Sequence, residues 1–157
     1  MSFVPGQIYT VRKSLVTPGA VTNLRLKAHA TRPIVLLSFG YAPTTAQTVN
    51  TTIGVQLGRI PTTFGTATDL VAGDFVPHNP NSPTTGVQVG AGLSGHTCTV
   101  EPTYTDTWTF GFNVLNEYMC KFLPEERIPF NAATGLGIKA SLALTGTWVV
   151  WATYLEL

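Results

Sequence analysis

The chain has 157 residues, which fits one domain and is long enough to bury roughly 70% of the surface its unfolded form would expose. A hydrophobic fraction of 44% excludes a disordered polymer, while 11% charged residues is less than half the usual share of about 25%, a shortage for a protein that must stay soluble as a free monomer. Nine Lys and Arg against eight Asp and Glu leave a formal net charge of +1, which excludes the strong field that captures nucleic acid, anionic lipid or an acidic substrate.

Residues Met1 to Gln7 read as a short N-terminal arm, because Pro5-Gly6 disfavours regular structure, and one domain is expected over residues 8–157. The arm lacks the basic start and long apolar stretch of a signal peptide, and no run approaches the ~18 apolar residues of a membrane span. Synthesis in a cytoplasm without export is therefore expected, with no membrane partner. Twenty-five threonines favour strands, and fifteen glycines and eleven prolines punctuate them.

In chain order, Ile8 to Val16 and Val21 to Ala28 flank Thr17-Pro18-Gly19-Ala20, whose Pro and Gly suit a type II turn. The two strands either pair as a hairpin or lie in different sheets. Ile34 to Phe39 is a nearly unbroken apolar run, and Ile53 to Leu57 alternates with Gly54 and Gln56. Asn50-Thr51-Thr52 matches a glycosylation acceptor, an accidental match without export. Pro61 to Gly95 is rich in Gly, Pro, Thr, Asn and Ser and reads as a long loop region, in which Phe64 and Phe75 either meet a partner or tuck onto the core.

Weaker strands are expected near Gly86 to Val89, Thr97 to Val100 and Glu117 to Phe122. The clearest period-two segment is Thr107 to Val114, with Trp108, Phe110, Phe112 and Val114 on one face. Leu123-Pro124-Glu125-Glu126-Arg127 reads as a turn with a local ion pair. Strands then follow at Arg127 to Phe130, Gly135 to Leu144 and Thr147 to Leu155, the last two joined by Thr145-Gly146. Gly135-Leu136-Gly137-Ile138 lacks the third Gly and the Lys of a phosphate loop and marks close backbone packing instead. About eight to ten short strands without helices imply an all-β fold, an antiparallel β-sandwich that is a jelly roll or another Greek key.

No catalytic or metal constellation emerges. His29, His78 and His96 are never at ligand spacing, and Cys98 and Cys120 form no CxxC and read as buried free thiols. Glu125 and Glu126 point to opposite faces of an extended segment, which suits no acid–base pair. No enzyme, cofactor or metal is therefore expected. Two segments are apolar on both sides: the last strand carries Trp148, Val150 and Tyr154 opposite Val149, Trp151 and Leu155, and Ile34 and Leu36 oppose Val35, Leu37 and Phe39. Covering a Trp such as Trp151 is worth about 5 kcal/mol. Either a loop of the chain, such as the long middle one, covers this face or a second subunit does, and a homo-oligomer interface is expected at Val35, Leu37, Phe39, Val149, Trp151 and Leu155.

The order Val16-Thr17-Pro18-Gly19, Leu24 to Ala28, Arg32-Pro33-Ile34-Val35-Leu36-Leu37, then Glu126-Arg127-Ile128-Pro129, Gly135-Leu136-Gly137-Ile138 and Trp148 to Glu156, resembles small all-β head decoration (cement) proteins of tailed bacteriophages. The likeness covers both ends of the chain and leaves the middle loop region unmatched. It implies a structural protein with a jelly-roll-like sandwich, commonly a homotrimer, seated on the outer capsid surface of the virion and clamping the major capsid protein, with no active site. On that resemblance Phe3 and Val4 of the arm, with Phe64, Phe75 and His78, are expected to contact the capsid. The alternative is a glycan- or receptor-binding module of a phage tail.

Overall fold

The computed structural model describes residues 7–157, and Phe3 and Val4 lie outside the described residues. Twelve strands follow one another: β1 (Gln7–Val16), β2 (Thr22–Lys27), β3 (Ile34–Pro43), β4 (Thr52–Ile60), β5 (Thr66–Asp69), β6 (Phe75–Pro77), β7 (Gly95–Val100), β8 (Thr107–Asn113), β9 (Tyr118–Lys121), β10 (Ile128–Phe130), β11 (Gly135–Ala140) and β12 (Thr147–Glu156). They form two antiparallel six-stranded sheets. The first runs β10-β3-β12-β1-β6, with β9 also paired to β3, and the second runs β5-β7-β2-β11-β4-β8.

The pairing order makes this a jelly roll. β1 pairs with β12, β2 with β11, β3 with β9 and β10, and β4 with β8, the nesting produced when one long antiparallel ribbon folds over itself and its strands alternate between two sheets. The segment β5–β7 is inserted between the fourth and fifth strands of the roll, extending the first sheet by β6 and the second by β7 and β5.

Alternation places the core. Along β12, Trp148, Val150, Ala152 and Tyr154 are buried and the residues between them half-buried. Leu24, Leu26, Val55, Leu57, Leu136 and Ile138 meet them from the second sheet. Two of the core's buried polar side chains are bonded within it: Tyr41 Oη donates to Asn23 Oδ1 at 2.8 Å and Trp148 Nε1 donates to the Thr145 carbonyl at 2.9 Å.

Several local expectations change. The Thr17–Ala20 segment joins the two sheets and is no type II turn: Thr17, not Gly19, takes the positive φ of 45°, and the corner is tied down where Leu144 N–H donates to the Pro18 carbonyl and Thr17 N–H to the Gly146 carbonyl. Thr145-Gly146 likewise links strands of different sheets, with Gly146 at φ 78°. Gln7 already lies in β1, and the strand expected to run to Leu144 ends at Ala140. The long loop region contains β5, a 3₁₀ turn at Ala72–Asp74 and β6, whereas residues 86–89 form no strand.

Residues 78–94 close one end of the sandwich. Val87 is buried, Gln88 Nε2 donates to the Ala28 carbonyl, and the Glu156 carboxylate accepts from Gly86 N–H and from Thr85 Oγ1. The middle of the second sheet's outer face is covered by its own chain. Gly58 and Gly137 lie beneath the Tyr104 ring and Gly135 beneath Phe64, at distances that leave no room for a Cβ. Tyr104 Oη is bonded to Thr22 Oγ1, whose own hydroxyl and backbone N–H are held by Glu101.

Candidate functional site

With the middle of the second sheet covered by its own chain, the first sheet presents a broad uncovered face among the described residues. β1 supplies Ile8, Thr10, Arg12 and Ser14, the residues that alternate with inward Tyr9, Val11 and Leu15. The pairing registers arrange this face in four rows. Ile8, Leu155, Val35 and Pro129 form an apolar row, followed by the polar row Thr10, Thr153, Ser38 and Lys121. Arg12, Trp151, Gly40 and Met119 come next, then Ser14, Val149 and Ala42. Beyond the last row an open depression of about 410 Å³ is lined by Arg12, Lys13, Ser14, Asp74 and Val149. Lys13 and Asp74 pair across it at 3.1 Å.

Trp151 dominates the face, yet it is only half-exposed. A Cβ on Gly40 would come within 2.5 Å of its ring, so the indole lies over β3 at Gly40, whose neighbour on β9 is the exposed Met119. Part of the area that the sequence suggested a partner must cover is thus covered by the protein's own backbone. Arg12 stands beside Trp151 in its row and Lys121 in the row before it, and no carboxylate stands in the four rows.

Val35, Leu37, Val149, Trp151 and Leu155 are half-buried residues of this sheet, and the register sets all but Leu37 in the rows of the face. Phe39 is different. The β3–β12 register slips between Thr153 and Tyr154, leaving Leu37 as an extra residue, and this bulge turns Phe39 into the core, where it is fully buried. There it meets Phe110, Tyr118 and Phe122 with ring centroids 5.6–6.0 Å apart. Phe39 therefore contacts no partner.

Phe64 and Phe75 are also withdrawn from any capsid. Phe64 is packed on Gly135 under the Lys27 ammonium, and Phe75 pairs with Val11 and is buried in the core. His78 remains exposed, with Nε2 2.8 Å from Thr10 Oγ1, at the β6 margin of the first sheet's face. Ile8, Arg12 and Met119 were missed by sequence reasoning. The alternation of β1 could have revealed the first two, whereas Met119 needed the knowledge that β9 pairs with β3.

Elsewhere the titratable groups are dispersed. Among the described residues no three His, Cys, Asp or Glu side chains lie close enough together to hold a metal ion. Burial, with Lys13 nearby, holds the His96 imidazole below its ordinary value against the opposing influence of Asp74. Cys98 and Cys120 are free, and burial pushes the Cys98 thiol up to about 11 despite the neighbouring Arg25. Arg25 is fully buried; Nη1 donates to the Phe64 carbonyl, while Nε and Nη2 have no partner in the described structure. Glu125 and Glu126 lie in a 3₁₀ turn, Pro124–Glu126, and the expected ion pair is replaced by a 3.4 Å bond from Leu123 N–H to the Glu126 carboxylate. A cleft of about 140 Å³ between residues 46–53 and 142–145 is smaller than the roughly 300 Å³ at which small-molecule pockets begin.

No family model matches this chain, and no curated protein matches it.

Proposed function

We propose that the protein is a structural virion component, a head decoration (cement) protein that sits on the outer capsid surface as a homo-oligomer, a trimer on the family resemblance, and reinforces contacts between major capsid subunits. The observation that carries this reading is the first sheet's face, where Ile8, Val35, Leu155, Trp151, Met119 and Val149 alternate with only two charges, both positive. Such a face suits a partner that offers apolar side chains ringed by carboxylates. Many copies on a symmetric lattice bind stably with modest affinity per contact, because engagement of one subunit raises the effective concentration of the next.

Trp151→Lys and Leu155→Lys place a new charge at the centre and the margin of the face without touching the core. Each is expected to leave the melting temperature within a few degrees of the parent while weakening capsid binding at least about tenfold, a loss near 1.4 kcal/mol. The measurement is co-sedimentation with purified phage heads, paired with the heat resistance of heads carrying and lacking the protein. Unchanged co-sedimentation of both variants, or heads equally heat-resistant with and without the protein, overturns the reading.

A further inference from the structure

A sheet edge exposes unpaired N–H and C=O groups that template another strand, and proteins blunt such edges with short strands, proline, lysine or bulges. Five strands stand at edges here, and four of them are protected. β6 has three residues and ends in Pro77, and β10 has three residues with Pro129 at its centre. β9 has four and ends in Lys121, and β5 has four, ends in Asp69 and is interrupted by a register shift. β8 has none of these devices. Its seven residues, Thr-Trp-Thr-Phe-Gly-Phe-Asn, include no charge and no proline, and they pair with β4 without a break in register from Gly58 to Thr52. Among the described residues no strand lies on its other side.

The free groups can be identified. Val114 N–H donates to the Thr51 carbonyl at 3.0 Å, and the alternation of an antiparallel ladder then turns the backbone groups of Thr107, Thr109 and Gly111, with the N–H of Asn113, away from β4 toward the open edge, the Asn113 carbonyl being taken by Asn116 N–H at 3.1 Å. Their side chains face the outside of the sandwich, while Trp108, Phe110 and Phe112 face inward. Trp108 and Phe110 are only half-buried.

We propose that β8 pairs with β8 of a second copy of this chain, antiparallel about a twofold axis at Phe110, joining two second sheets into one continuous sheet. The strand is self-complementary about that residue. Thr109 exchanges hydrogen bonds with Gly111 of the other copy, Trp108 falls opposite Phe112, Thr107 falls opposite Asn113, and Phe110 faces its own mate in a non-hydrogen-bonded pair. No charge in the strand opposes the approach of an identical strand, and Asp106 at its entrance is already paired with Arg59 at 3.0 Å. A strand from an unrelated partner would need only the free backbone groups; an identical strand also sets Trp108 against Phe112 on the inward side and brings no charge, which favours a second copy. This contact is distinct from the face of the first sheet and does not depend on the function proposed for that face.

Thr109→Pro tests it, because proline removes an N–H that the fold does not use while leaving the β8–β4 bonds in place. The parent is expected to show a concentration-dependent dimerisation step in sedimentation equilibrium, and the variant to weaken that step at least tenfold. In the parent, hydrogen exchange at Thr109 and Gly111 should slow as concentration rises, and Trp151→Lys should not alter it. Thr109→Lys, which keeps the backbone unconstrained, serves if the proline variant loses its fold. The proposal is overturned if the parent shows no such step, if both variants dimerise like the parent, or if the Thr109 and Gly111 amides exchange at an open-edge rate in the associated state.

Discussion

Replacing Glu156 by alanine is expected to cost about 3 kcal/mol of stability, and to expose residues 79–93 to proteolysis before the rest of the chain unfolds. The carboxylate is 4% exposed, it meets Arg32 at 2.7 Å, and it accepts from Gly86 N–H at 2.8 Å and Thr85 Oγ1 at 3.0 Å. Alanine leaves that N–H and hydroxyl without their acceptor at the closed end of the sandwich. The figure sits at the low end of the range for breaking a buried pair because the Arg32 side chain, 44% exposed, returns to water. Glu156→Gln, which keeps the shape and one acceptor, should lose about half as much. Urea unfolding together with limited digestion by a protease of broad specificity, such as proteinase K, measures both effects, since residues 79–93 hold no Lys, Arg or aromatic residue. An alanine variant with the parent's unfolding midpoint and an intact loop would show that the carboxylate does not anchor this segment.

Alkaline pH should unfold the protein sharply instead of titrating its tyrosines one by one. All five phenols are shifted upward from their ordinary value near 10, in each case chiefly because burial disfavours the phenolate. The unfolded chain then gives up these protons first, so stability is intact below pH 10 and falls as pH rises above it. Each phenol that ionises only on unfolding removes about 1.4 kcal/mol per pH unit, and the fully buried Tyr41 and Tyr154 alone remove about 3 kcal/mol per unit. Phenolate absorbance and near-ultraviolet circular dichroism followed together should change in one step above about pH 10.5. A gradual absorbance rise centred near pH 10 with the dichroism preserved would contradict the burial of these rings.

The sandwich was legible because burial on one side imposes period two. Trp108, Phe110 and Phe112, the alternation of Gly135 to Ala140, and Trp148, Val150 and Tyr154 all display it, and all point inward in the structure. The paired glycines Gly135 and Gly137 also announced the close packing that Phe64 and Tyr104 supply. Alternation could not reveal a bulge. One extra residue at Leu37 inverts every face assignment after it, which is why Phe39 belongs to the core and Gly40 to the outer face. The strands β5 and β6 were hidden for a different reason: they are only four and three residues long, too short for a pattern, and are held by neighbours distant in sequence. The two-sided apolarity of β12 was visible, but not the way Trp151 shields itself by lying over a residue without a side chain.

The position of β12 bears on how the chain reaches its native state. It lies between β1 and β3 and bonds to both along nearly its whole length, so two strands made early in synthesis must wait for one made more than a hundred residues later. Until then both carry open backbone and an exposed apolar side, the condition under which newly made chains stick to one another. A ribosome-bound nascent chain lacking residues 147–156 should therefore engage chaperones and resist folding however long translation is paused, and the first sheet should assemble only once that segment has emerged from the exit tunnel.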